Sequence, residues 1–153
     1  VLGFMVSLFF ISTLIIYREK SSGIIYEFDE LRKKIKLDNF LNITGENINL
    51  DVKLIRSFIN KDLDKFSDND LSKDKIKIIS IFNKDEDYIN ELAKKIEYKL
   101  ISLDSEEIEN ASYLVFILKT KNISNKDIQK MNNYIQIYKH KIYGWINIDS
   151  NLI

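Results

Sequence analysis

Few residues in this chain have the chemistry of a reactive centre, and most of those are carboxylates. A single histidine, His140, stands between Lys139 and Lys141, and cysteine is absent. A zinc site or a histidine-based triad therefore has almost nothing to be built from. Disulfides, thiolate metal ligands and a cysteine nucleophile are excluded. The most suggestive stretch is "IISIFNKDEDYINEL", residues 78–92, where an apolar strand runs straight into a helix start. In many α/β proteins such a junction is a phosphate-cradling loop of the form G-x-x-x-x-G-K-[ST]. Its glycines allow close backbone approach and its lysine supplies charge. Here the junction holds Asn83, Lys84, Asp85, Glu86 and Asp87, with no glycine and one cation. A helix N-terminus attracts anions through its free amides and dipole. The three carboxylates already provide that charge and would repel a triphosphate. An ordinary solvated helix start that binds no nucleotide is the expectation.

Other candidates are weaker. Asp62, Asp64, Asp68 and Asp70 suggest calcium. A calcium loop opened at Asp62 needs glycine at 67 and glutamate at 73, and the chain has Ser67 and Lys73. Asp104 follows a strand, where an acid could meet magnesium, but only the segment 105–109 stands beside it, so it reads as a loop acid. Tyr134, Tyr138, Tyr143 and Trp145 sit at structural spacings that suit core and rim packing better than base stacking. No catalytic, cofactor-binding or metal-binding residue is assigned. The 23 basic residues balance 23 acidic ones, so no global field favours nucleic acid. Only Arg18, Arg32 and Arg56 could read phosphate bidentately.

The elements that would position these residues begin with "VLGFMVSLFFISTLIIY", residues 1–17, an uncharged run ended by Arg18, Glu19 and Lys20. As a helix it spans ~25 Å, just short of the ~30 Å hydrocarbon core. A secretory signal would need a basic region before the run and a small-residue cleavage site after it, and neither is present. Ser7, Ser12 and Thr13 can bond back to the helix. Six basic residues between Arg18 and Lys36 then place the rest of the chain in the cytoplasm by the positive-inside rule. A transmembrane helix over 1–17 is the expectation.

Residues 18–74 read as a cytoplasmic juxtamembrane segment and linker. Asp29 can cap a short helix running to Leu37, with Glu30 and Lys34 as an i,i+4 pair. Residues 38–48 read as loop. Val52, Ile55, Ile59 and Phe66 then mark a second helix, before a polar linker over 67–74.

Residues 75–153 read as an α/β domain. Strands are expected at 75–82, 99–103, 113–118 and 141–148. A helix over 85–97 carries Ile89, Leu92, Ala93 and Ile96 on one face, opened by Asn83 and Glu86 at capping-box spacing. Ser124 and Asp127 have the same spacing before a helix faced by Ile128, Met131, Ile135 and Tyr138. The run "YLVFIL" is continuously apolar, as in a strand covered on both faces. These elements predict a small Rossmann-like, mostly parallel four-stranded sheet with flanking helices, in the order 2-1-3-4 by right-handed crossovers. The connection between the second and third strands is short for a parallel crossover.

An apolar helix, then "EKSSGIIYEFDEL…KIKLDNFLNI", a helix, a linker and a Rossmann-like unit ending "GWINID" resembles the cytoplasmic C-terminal part of polysaccharide co-polymerases, the chain-length determinant (Wzz-like) family. "ASYLVFILKTKNISNKDIQKMNNYIQIYKHKIYGWINID" looks like the end of the bacterial tyrosine-kinase fold found fused to, or supplied beside, many members. The resemblance implies an inner-membrane regulator of surface polysaccharide chain length, forming a homo-oligomer and contacting polymerase or export machinery. The family's kinases carry a phosphate loop, an acidic strand and often a tyrosine-rich tail. This chain shows none of these in the matching places, so no catalytic residue carries over and a non-catalytic, pseudokinase-like domain is implied. The alternatives are a single-pass anchored α/β interaction domain of another family and an active tyrosine autokinase.

Overall fold

A computed structural model describes residues 2–63, 75–81 and 87–149. The elements in chain order are α1 (Leu2–Ser22), α2 (Phe28–Lys34), β1 (Phe40–Ile43), α3 (Ile48–Leu63), β2 (Ile76–Ser80), α4 (Asp87–Ile96), β3 (Lys99–Ser102), α5 (Glu107–Asn110), β4 (Tyr113–Lys119), α6 (Asn125–Ile137) and β5 (Ile142–Ile148). The strands form one sheet in the order β1-β5-β4-β2-β3, and every pairing is parallel.

The fold is thus α/β with a parallel sheet, but it has five strands where four were expected. The extra one is β1, in the segment read as loop. Its four residues pair with β5 in the register Phe40 to Trp145 through Ile43 to Ile148. Without β1, the order of the other four is the expected 2-1-3-4. The apolar run 113–118 forms β4, the central strand, with Leu114 through Leu118 all buried.

Alternation along β4 sends Leu114, Phe116 and Leu118 to one face and Val115 and Ile117 to the other. The first face packs on α2, α5 and α6 through Leu31, Ile108, Ile128 and Met131. The second packs on α3 and α4 through Ile55, Ile59, Ile89 and Leu92. Right-handed crossovers require this split. The chain moves from β2 to β3 in one direction across the sheet and from β4 to β5 in the other, so α4 and α6 must lie on opposite faces.

One irregularity adjusts β5. Its register with β4 slips between Leu114 and Val115, which leaves Tyr143 as an extra residue. Ile142 and Trp145, three apart, can therefore face the same core. Gly144 is required beside the bulge. A Cβ there would lie 2.7 Å from the Asn39 carbonyl oxygen, which accepts a hydrogen bond from the Trp145 amide.

Two local expectations shift. The short second helix starts at Phe28 and stops at Lys34, not Leu37. Its N-cap is Glu27, which makes no side-chain cap bond, so Asp29 lies in the first turn instead of capping it. The Glu30 and Lys34 pair is present. Ser124 caps α6 with Asp127 in a complete capping box, as its spacing predicts. The box at Asn83 and Glu86, the linker 67–74 and Phe66 lie outside the described residues.

Residues 2–17 of the run expected to be a transmembrane helix fall within α1. Among the described residues no helix is long and apolar enough to cross a membrane. The uncharged part of α1, residues 2–17, rises only ~24 Å. Ser7 and Thr13 bond back to the carbonyls of Gly3 and Phe9 at 2.9 and 2.7 Å. Large apolar side chains from Phe4 to Tyr17 project outward without contacting the core, Phe9 at 73% exposure.

Candidate functional site

In an open parallel sheet, ligands bind in the crevice outside the carboxyl ends of the strands, where the strand order reverses. That point lies here between β2 and β4. On the β2 side the chain leaves through Ser80 and Ile81 toward residues 82–86, which lie outside the described residues, so Lys84, Asp85 and Glu86 are not placed; Asp87 opens α4.

The β4 side is fully placed. β4 leads through Thr120 into residues 121–124 and the N-terminus of α6, a second strand-to-helix junction with the amides that could hold an anion. Three of those amides are already engaged. Ser124 donates its amide to Asp127 Oδ2 at 3.0 Å, and the Asp127 amide donates to Ser124 Oγ at 3.3 Å. The Asn125 amide donates to the Gly23 carbonyl at 2.8 Å. Residues 23–25, just past α1, run antiparallel along this loop. The Ile25 amide donates to the Ile123 carbonyl at 2.9 Å, and the Lys121 amide donates to the Ile25 carbonyl at 2.8 Å. Ile25 is fully buried in the core shared with α6, and Gly23 supplies the positive φ of 64° at the end of α1.

Beside this junction the carboxyl edge carries a buried polar cluster. Asn147, fully buried, accepts from the Thr120 amide at 3.2 Å and donates through Nδ2 to Asn42 Oδ1 at 2.7 Å. Thr120 Oγ1 donates to the Ile148 carbonyl at 3.3 Å. These groups satisfy one another. They hold the ends of β1, β4 and β5 together.

A second buried group lies on the opposite face. Asp51 is 1% exposed near the start of α3 and accepts a 2.6 Å hydrogen bond from the Tyr88 hydroxyl on α4. Burial first, then the hydrogen bond and charge of Asp51, push the Tyr88 phenol well above its ordinary value of 10.0. The phenol therefore stays protonated and donates. A folded-state pKa raised above the unfolded one contributes stability that is complete below the unfolded value and is lost as pH rises through the folded value. Tyr88→Phe should lower stability by ~1.5–3 kcal/mol by leaving a buried carboxylate without its donor. The loss should be constant through neutral pH and shrink only in strong alkali, as read by denaturant titration at several pH values.

An open groove of about 620 Å³ lies between α5 and α6. Asp104, Glu106 and Glu109 line it together with Tyr134 and Tyr138, whose rings stack at 5.8 Å. Burial, then the charge of Asp104 and of Tyr138, raise the Tyr134 phenol. The structure thus brings three residues considered from the sequence, Asp104, Tyr134 and Tyr138, to one place. Tyr143 and Trp145 it sends elsewhere. Tyr143 packs edge-on to Phe58 and donates to the Phe58 carbonyl, while Trp145 is buried in the core. Among the described residues no group of three or more histidines or carboxylates could hold a metal ion.

Sequence reasoning missed Asp51, Thr120 and Asn147. Asp51 had a signal, since it stands four residues before Ile55 on the apolar face of α3. Comparison with known proteins matches no family model, curated protein or solved structure.

Proposed function

We propose that this chain is a membrane-anchored, non-catalytic α/β interaction module, placed at the bacterial inner membrane with its α/β domain in the cytoplasm. The observation that carries the non-catalytic part is the occupied N-terminus of α6. Its Ser124, Asn125 and Asp127 amides are bonded within the chain itself. A phosphate there would have to displace residues 23–25 and open the capping box. Beside it, the Thr120 amide and the Asn147 side-chain amide are likewise bonded within the chain.

The anchor proposed is the apolar run that ends at Tyr17, although among the described residues no helix is long and apolar enough to cross a membrane. From Gly3 to Tyr17 the α1 helix carries no charge on any side, and a helix stretch of that kind lies in a core or in lipid. Its side chains do not enter the core of the domain. The basic residues after Tyr17 support a cytoplasmic location for the α/β domain. On the resemblance to chain-length determinant proteins, the module serves surface polysaccharide export as part of a homo-oligomer that contacts the polymerase machinery. The coding sequence upstream of Val1 bears on this directly. A first apolar helix and a long extracytoplasmic region there would support that family, and an unrelated upstream sequence would remove it.

The orientation is tested with reporters fused after Lys36. The expected readout is cytoplasmic. A periplasmic readout would overturn both the orientation and the reading built on it.

A further inference from the structure

We infer that the carboxyl edge of the sheet is held flat against the bilayer, with the exposed residues of the 121–126 segment as the surface that meets the phosphate headgroups. This rests on the reading of α1 as a membrane anchor and adds to it which end of the domain faces the lipid.

The argument is one of tether length. The uncharged part of α1 ends at Tyr17, and residues 18–22 continue the helix. Five helical residues rise ~7.5 Å, about the depth of one headgroup layer. After Ser22 only Gly23 can act as a joint, and its own carbonyl is already bonded to the Asn125 amide. Ile24 bridges Ser124 in antiparallel fashion, and Ile25 is bonded on both sides and fully buried. The chain therefore leaves the headgroup layer and locks directly onto the loop between β4 and α6. No free linker allows the domain to turn its other end toward the lipid.

Lys126 flanks this lock and is exposed, and Arg18 lies on the last turns of α1. These cations are placed to meet phosphate groups. The opposite end of the sheet, where β4 begins at Tyr113 and β5 at Ile142, close after His140, is farther away by the length of a strand. The seven residues of β4 span ~23 Å. The two ends of the domain therefore stand at distinguishable heights above the membrane.

The chain has no cysteine, so single-cysteine probes have a clean background. The full chain carrying Leu14→Cys, Lys126→Cys or His140→Cys would be labelled with a fluorophore and reconstituted into phosphatidylcholine and phosphatidylglycerol vesicles. Spin labels would sit on either the acyl chains or the headgroups. The expected result is quenching of the position 14 probe by acyl-chain labels, quenching of the position 126 probe by headgroup labels, and no quenching at 140. Equal quenching at 126 and 140, or quenching at 140 alone, would overturn the inference while leaving the anchor intact. Absence of quenching at position 14 would overturn the anchor and this inference with it.

Discussion

Phe116→Ala should lower the stability of the domain by ~3–5 kcal/mol, as expected for removing a large, fully buried aromatic side chain. Phe116 has no exposed surface and sits in the middle of β4. It is flanked in register by Ile79 on β2 and Trp145 on β5, so its ring joins neighbours from both halves of the sheet. A cavity there cannot be closed by one helix moving inward, because strands bound on both sides hold its walls. The loss should appear in a denaturant titration as a lower midpoint with an unchanged slope. A loss under ~1 kcal/mol would mean that β4 is peripheral and that the strand order is wrong.

Trp145→Ala should cost a similar ~3–5 kcal/mol, but with a different distribution. Trp145 is fully buried, and its indole donates to the Leu37 carbonyl at 2.9 Å. Its ring stacks on Phe40 at 5.3 Å and lies 5.8 Å from Phe28 at a 39° tilt. The side chain thus fastens the segment around α2, which leads back to α1, onto the sheet. Its removal should raise hydrogen exchange over residues 31–37 more than over β2 or β3. Trp145→Phe keeps an aromatic ring but loses the indole donor, so it should be the milder change. That donor is worth ~0.5–1.5 kcal/mol as a typical net hydrogen bond. Trp145 is the only tryptophan, so both variants need to be followed by circular dichroism. Equal costs for the two variants would show that the indole bond, and not the packing, fastens the segment.

Of the strands that were legible in the sequence, β2, β4 and β5 have apolar runs long enough to declare themselves, and the four-residue β3 follows directly on the helical stripe of α4. β1 was not, because "FLNI" is four residues set among polar ones and is ordered by a partner more than a hundred residues away. The capping box at Ser124 was legible because it is a matter of side-chain spacing. The lock between residues 23–25 and 121–125 was not, because it is made almost wholly of backbone hydrogen bonds, which leave no pattern of residue types. Its one visible trace was "SSG" before "II", which reads simply as a helix end. Thr120 and Asn147 were hidden for a related reason. A polar residue at the end of a strand usually faces water, and only the fold brings these two into contact with Asn42. Asp104 was noticed apart from Tyr134 and Tyr138, and nothing in the sequence placed the acid in one groove with the two rings.

Nucleotide binding is the most direct test of the non-catalytic reading. A ligand at a hundred times its dissociation constant stabilises the native state by ~2.7 kcal/mol. For a domain of this size that raises the melting temperature by several degrees. Thermal unfolding of the full chain in detergent, with and without millimolar ATP and magnesium, should show no resolvable shift. A clear rise with ATP that Lys84→Ala abolishes would contradict the proposal and restore a kinase.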